Sequence, residues 1–351
     1  MSRRTVSSLL ACMLLVALFY TASSLPVPYV TMSPGPTVDV LAEQRGEEIV
    51  QVEGAERYET DGRLELTTVS VTGPTQRVGL AQALLAWFDR SRAVYPRELF
   101  YDKDESAEDV RTESSVQMVS SQDTAIAAAL RELGYDLNTV TEVFAVTKDS
   151  PADGRLQTRD RVLAVDGTRV QEAGDVSRLI QRAGAGTEVA ITVRRDGRTR
   201  TVRVTPERSE DQPDRALVGV VVGQGYDFPF EVSVNIDDKI GGPSAGLIFS
   251  LAVYDTLTPG ALTDGAPVAG TGTITAAGTV GPIGGIQQKI VAAADSGASL
   301  FLVPPGNCDE AVATGIDEEE IRLVKAESMH SAVRSLKRYA ADPDSDLPGC
   351  G

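Results

Sequence analysis

Histidine, lysine and cysteine are scarce in this 351-residue chain, and each scarcity removes a class of chemistry. One histidine, His330, and three scattered cysteines leave no soft-ligand cage for a metal. Only six of the 33 basic residues are lysines (Lys103, Lys148, Lys239, Lys289, Lys325 and Lys337), and none follows a glycine. The Gly-Lys-Ser/Thr end of a phosphate loop is therefore missing, and a P-loop ATPase with it. A formal net charge of −17 argues against nucleic acid as a partner, because phosphate binding needs concentrated Lys and Arg. Low-complexity tracts are absent too. The length and a hydrophobic content of 42% allow two or three folded domains.

What is present begins with an apolar run. After Arg3 and Arg4 no charge occurs until Asp39, and the densest apolar part runs from Leu9 to Leu25. That is near the roughly 20 residues a helix needs to span a bilayer. Basic residues ahead of it keep that end cytoplasmic, which puts the body outside the cytoplasm on a single-pass anchor. A cleaved signal peptide is the alternative, permitted by Thr21, Ala22 and Ser23. The lipoprotein-like "LLAC" at 9–12 is rejected, since the apolar segment continues past Cys12.

Beyond the anchor, "LPVPYVTMSPGPTVDV" reads as a Pro-rich extended linker. "EEIVQVEG" and "GRLELTTVSV" alternate like strands. "VGLAQALLAWFDR" has helix spacing at Val78, Ala81, Leu85 and Phe88. The charged stretch 101–113 reads as a solvated connector, followed by a helix capped at Ser120 and Asp123. Residues 26–139 thus form a linker and an α+β segment. From 140 to 206 a small module follows: strand "VTEVFAV", turn "DSPADG", strand "DRVLAVDG" and helix "AGDVSRLIQRAG". It closes with a hairpin turning at Asp196-Gly197, with Val189, Ile191 and Val193 on one face.

The order of that module, with "SPADGRLQTRDRVLAVDG" inside it, resembles the PDZ domains attached to bacterial envelope proteases. Arg159 departs from the pattern, standing where the family usually has glycine. The resemblance implies a domain that takes an extended peptide or C-terminus as an added strand; a ligand-free packing module is the other reading.

"DDKIGGPSAGLIFSLAVYDTL", 237–257, places Ser244 at a helix start, with Leu247, Leu251 and Tyr254 at helical spacing behind it. Free N–H groups there favour negative charge, which suits an oxyanion hole and an ordinary N-cap equally. A nucleophilic serine needs a base. His330 lies about 100° off the apolar face of Met329, Val333 and Leu336, toward solvent. The remaining base is a lysine stripped of charge by burial. In "GPIGGIQQKIVAAADSGASLFLVP", Lys289 flanks the face of Ile286, Ile290 and Ala293, with Gln288 and Asp295 opposite. A snorkelling lysine would show the same spacing.

"GGPSAG" followed by "GTGTITAAGTVGPIGGIQQK" resembles the proteolytic domain of Lon-type Ser–Lys peptidases. It also resembles the membrane-anchored, PDZ-containing Lon-like proteases of bacteria that lack the ATPase part. The serine and lysine fall in the family's order, 45 residues apart. By resemblance, Ser244 is the nucleophile, Lys289 the general base and Thr271 the residue that orients the amine. Gly242, Pro243 and Ala245 form the oxyanion turn, and no metal or cofactor is required. Lys239 is shifted from the family's lysine and reads as a strand-edge residue; Thr273 replaces an acidic residue.

The implied fold is α+β: a membrane helix (1–25), a PDZ domain (140–206), a peptidase domain (216–340) and a tail (341–351). The implied function is ATP-independent endopeptidase action on proteins or peptides, in a possible homo-oligomer. An inactive membrane PDZ scaffold is the alternative, and an esterase a weaker one. Cys308 and Cys350 are free to pair in an oxidising compartment.

Overall fold

The computed structural model describes all residues except 1, 2, 45, 103, 104, 210, 211 and 238, so part of the stretch 101–113 lies outside it. Helix α1, Arg3–Ser24, is exposed from Leu9 to Thr21. At about 1.5 Å per residue, its 22 residues reach about 33 Å, enough for a hydrocarbon core of about 30 Å.

The sequence reading of a linker after α1 is overturned. Tyr29–Asp39 is a strand, β1, inside a six-stranded sheet. Its prolines fit because the register slips between Pro34 and Thr37, and a bulge does not demand a ladder N–H at each residue. Strand β2 is Val50–Glu53 and β3 is Arg63–Val71. The short helix α2, Leu80–Phe88, and strand β4, Ala93–Pro96, follow.

Helix α3 then runs from Ala107 to Glu132. It starts 13 residues before the expected cap, because Ser106 and Asp109 already form a capping box there. Ser120 and Asp123 are interior, and residues 107–113 belong to the helix and not to a connector.

The chain next builds the small module: β5 (Thr139–Val146), β6 (Arg161–Val165), α4 (Ala173–Ala183), β7 (Val189–Arg195) and β8 (Arg198–Val204). Asp196 and Gly197 both have positive φ, the condition for a two-residue hairpin turn with the twist of its strands. Strand β9, Val220–Tyr226, pairs along all of β5 and forms the edge of this sheet, whose order is β8-β7-β6-β5-β9. The module therefore extends past the expected end at 206. Ala216 and Val218, expected in the peptidase domain, lie in its core beside Val143, Leu156 and Ile180.

Strand β10, Glu231–Val234, returns to pair with β2. Helix α5 is Gly246–Thr256 and strand β11 is Pro267–Gly270. Helix α6 (Ile286–Asp295) leads to β12 (Leu300–Val303), β13 (Arg322–Lys325) and α7 (Met329–Ala341). The main sheet has the order β13-β12-β11-β3-β1-β4, with Leu64 of β3 opposite Val268 of β11. Strands from before and after the small module share this one sheet. Leu66, Ile126 and Leu130 pack with Leu247, Leu251 and Leu302 in a single core. Residues 26–139 thus share one body with residues 231–341, and the small module is an insertion in it.

Arg159, at a backbone φ of 76° where glycine was expected, ties the insertion to that body. Its guanidinium pairs with Asp123 of α3 and Glu142 of β5 and donates to Gln122 Oε1 at 3.3 Å. Asp123 is fully buried, so this cation supplies the compensation a buried carboxylate needs.

The C-terminal segment is held in place. Cys308 and Cys350 form a disulfide with Cα atoms 5.0 Å apart, Lys325 N–H donates to Pro348 O at 2.7 Å, and Leu347 is buried. The bond closes a loop of 42 residues. Cys350→Ser should lower stability by about 2–4 kcal/mol, read from the denaturant midpoint under non-reducing conditions. An unchanged midpoint would mean the tail is held without it.

Candidate active site

Three elements of the body converge on one serine. The loop after β10 turns at Gly242, whose φ of 87° strains any side chain. Its N–H donates to Ser114 O of α3 at 3.3 Å, and Ser121 of α3 donates its hydroxyl to Pro243 O at 3.1 Å. Ser244 follows, half-buried, and Ala245 caps α5. The Ser244 carbonyl accepts from Gly272 N–H at 2.9 Å and from Thr271 Oγ1 at 3.0 Å. The loop is thus pinned on one side by α3 and on the other by the chain leaving β11.

The lysine arrives from α6. Gly285 starts that helix in the left-handed region, φ 71°, and a Cβ there would lie 2.7 Å from Met32 Sδ. Its absence lets α6 press against β1 and β3. One turn later Lys289 is 2% exposed. Its Nζ lies 2.8 Å from Ser244 Oγ and 2.9 Å from Thr271 Oγ1. Burial disfavours the charged amine and lowers its pKa to about 7.

Two depressions meet at Ser244. One, of about 530 Å³, is lined by Met32, Thr68, Met118, Ile240 and Lys289. The other, of about 360 Å³, is lined by Thr273, Pro282 and Ile283. Pro243, Ser244 and Gly284 line both.

The remaining candidates are dispersed. His330 is exposed and bonds Glu132 at 2.8 Å. Lys239 lies in a turn at the cleft rim, not on a strand edge, because β10 ends at Val234. Gln288 is buried, not opposite the apolar face as the helical wheel had it, because α6 is covered on more than one side. Ser114 and Ser121 carry no sequence signal. They sit more than a hundred residues before the loop they hold, on a helix of ordinary pattern.

Two family models match parts of the chain, the first beginning inside α3 and ending before β9. Residues 111–205 match the model of the PDZ domain, and residues 238–334 match that of the Lon protease (S16) C-terminal proteolytic domain. A Lon protease of Syntrophomonas wolfei is 35% identical over 111 residues, 31% of this chain and 13% of that protein. A Mesorhizobium japonicum protein whose name describes a zinc metalloprotease is 42% identical over 86 residues, 22% of this chain and 23% of that one. The chain thus spans less than a quarter of the length of either relative. The solved PDZ domain of an SdrC-like protein from Listeria monocytogenes covers 24% of this chain and 86% of its own, at 17% identity and a TM-score of 0.22. The chain therefore carries an apolar N-terminal helix, a PDZ domain and a Lon-type C-terminal proteolytic domain, with no ATPase part within these 351 residues.

Proposed function

We propose that this chain is a membrane-tethered serine endopeptidase that cleaves protein or peptide substrates through Ser244 and Lys289, without ATP hydrolysis of its own. The observation that carries the reading is the Lys289 amine, buried and held between Ser244 Oγ and Thr271 Oγ1. A neutral amine in that position accepts the Ser244 proton as Oγ attacks the scissile carbonyl carbon. Thr271 donates to the Ser244 carbonyl and accepts from the amine, which aims the nitrogen lone pair at Ser244 Oγ. The developing oxyanion needs fixed donors. Of the turn residues, Gly242 has spent its N–H on Ser114 and Pro243 has none, which leaves Ala245 N–H, at the start of α5, as the candidate donor. Protonated Lys289 then gives its proton to the leaving amine as the C–N bond breaks. Water, deprotonated by the same nitrogen, hydrolyses the acyl-serine and returns the proton to Oγ.

Attachment through α1, with the body outside the cytoplasm, rests on its length, its flanking arginines in the sequence, and the Cys308–Cys350 disulfide, which suits an oxidising compartment. Protease added to intact spheroplasts should digest the body; protection would reverse the sidedness.

The PDZ domain offers β9 as an unpaired edge beside α4, with a groove of about 230 Å³ lined by Ser177, Ile180, Val218 and Val222. An extended substrate segment fits there as an added strand. Ser177→Trp should fill the groove and slow cleavage of protein substrates several-fold, leaving hydrolysis of short peptides unchanged. Equal loss for both would mean that the domain supports the peptidase body instead.

An active-site serine probe tests the central assignment. It should label the wild-type chain at Ser244 and fail on Lys289→Arg. Labelling at another serine would overturn it.

A further inference from the structure

Helix α2 presents its large side chains to the outside. Val78, Ala81, Leu85 and Phe88 have helix spacing in the sequence. The structure buries Val78 but turns the helix over: Ala83 and Ala86 face the protein at 7% and 0% exposure. Leu84, Leu85, Trp87 and Phe88 are 44%, 72%, 77% and 84% exposed. At about 100° per residue these four cover an arc of about 160°, opposite the two alanines. A contiguous apolar face of this kind is a contact surface that water alone does not explain.

Its position says what covers it. Leu80 N–H donates to Leu25 O at 2.9 Å, one residue past the end of α1. Pro26 and Val27 pair with Gly79 and Val78, so the start of α2 is stapled to the exit of the apolar helix. Phe19 and Tyr20, in the last turns of α1, are equally exposed. Trp, Tyr and Phe at that level are the residues that settle at a membrane–water boundary. The charge agrees. Residues 74–97 hold Arg77, Arg90, Arg92 and Arg97 against one acid, Asp89, in a chain whose net charge is −17.

We propose that α2 lies flat in the headgroup–acyl boundary of the bilayer that α1 crosses, with Leu84, Leu85, Trp87 and Phe88 among the lipid chains and the flanking arginines at anionic headgroups. The proposal rests on α1 spanning that bilayer. It adds a second anchor, stapled to α1 through the Pro26–Val27 ladder and to the peptidase sheet through β4, so the body is held at a fixed attitude over the membrane.

The chain supplies its own probes: Trp87 is its single tryptophan, and Cys12, inside α1, is its single free cysteine. The full chain is reconstituted in phosphatidylcholine–phosphatidylglycerol vesicles with and without brominated acyl chains. Cys12 should resist a membrane-impermeant maleimide. Trp87 emission should shift to the blue and be quenched by bromine, more by bromine near the headgroup than by bromine near the chain end. Leu85→Asp with Phe88→Asp should abolish both the shift and the quenching and leave Cys12 protected. If Cys12 is protected and Trp87 emission is the same in both vesicles, the interfacial helix is overturned while the span stands. If Trp87 is shielded from acrylamide yet untouched by bromine, a second copy covers the face, and the proposal fails. A Cys12 that reacts freely overturns the span itself and this proposal with it.

Discussion

Lys289→Arg should abolish peptide hydrolysis. A guanidinium stays protonated at any pH the fold tolerates and cannot take the Ser244 proton. General-base assistance is worth roughly 10²–10⁴-fold, so the turnover number should fall by roughly 10³-fold or more. Ser244→Ala should fall as far, because it removes the proposed nucleophile, and the double variant should be no worse, since residues acting as one unit are not additive. Thr271→Ala keeps both dyad members and should be impaired less severely. It frees the amine from one of the two oxygens that fix its direction. Assay with a fluorogenic peptide, alongside circular dichroism for the fold, distinguishes these outcomes. Near-normal activity in Lys289→Arg would remove the lysine as base and return attention to a carboxylate.

Lys289→Met should be inactive and yet more stable than the wild type at neutral pH. The amine's ordinary pKa is near 10.5, and burial lowers it to about 7 in the folded chain. Between those values the unfolded chain binds a proton that the folded chain does not, so stability rises with pH across the window and is lowest at and below its lower end. Holding the amine neutral at pH 7 costs on the order of 4 kcal/mol, which a thioether of similar length avoids. The variant should melt higher than the wild type at pH 7, and the gap should close toward pH 10. A gap independent of pH would show that the folded lysine is not desolvated. The same burial that weakens the fold is what the proposed base requires.

What could be read along the chain was set by neighbours in sequence. The period-two strands of the PDZ domain, the Asp196-Gly197 hairpin and the α5 pattern behind Ser244 all express local propensity. The two motifs holding Ser244 and Lys289 could be placed on helix starts, but no spacing rule gives the 2.8 Å between their side chains. Non-local choices were the ones missed. Tyr29–Asp39 looks like a linker because prolines disfavour ladders, and it becomes a strand because β3 and β4 pair with it on both sides. Two capping boxes compete at Ser106 and Ser120, and packing of α3 against α5 favours the longer helix. Strand β9 joins the PDZ sheet after a long excursion that offers no local signal of where it pairs. Helix α2 has the spacing of a core helix, and only the fold shows which face is covered. Arg159 breaks the glycine pattern of its domain, and the buried carboxylate that explains it lies on α3, in the body.

The account stands on a lysine that is neutral where an enzyme works. The pH dependence of Ser244 acylation by a serine probe, followed by intact-protein mass, reads that lysine directly. The rate should rise with pH through a single group titrating at about 7, the value burial gives Lys289, and the limb should vanish in Lys289→Met. A limb centred near 10, as for a lysine in water, or one that survives in Lys289→Met, would contradict the account.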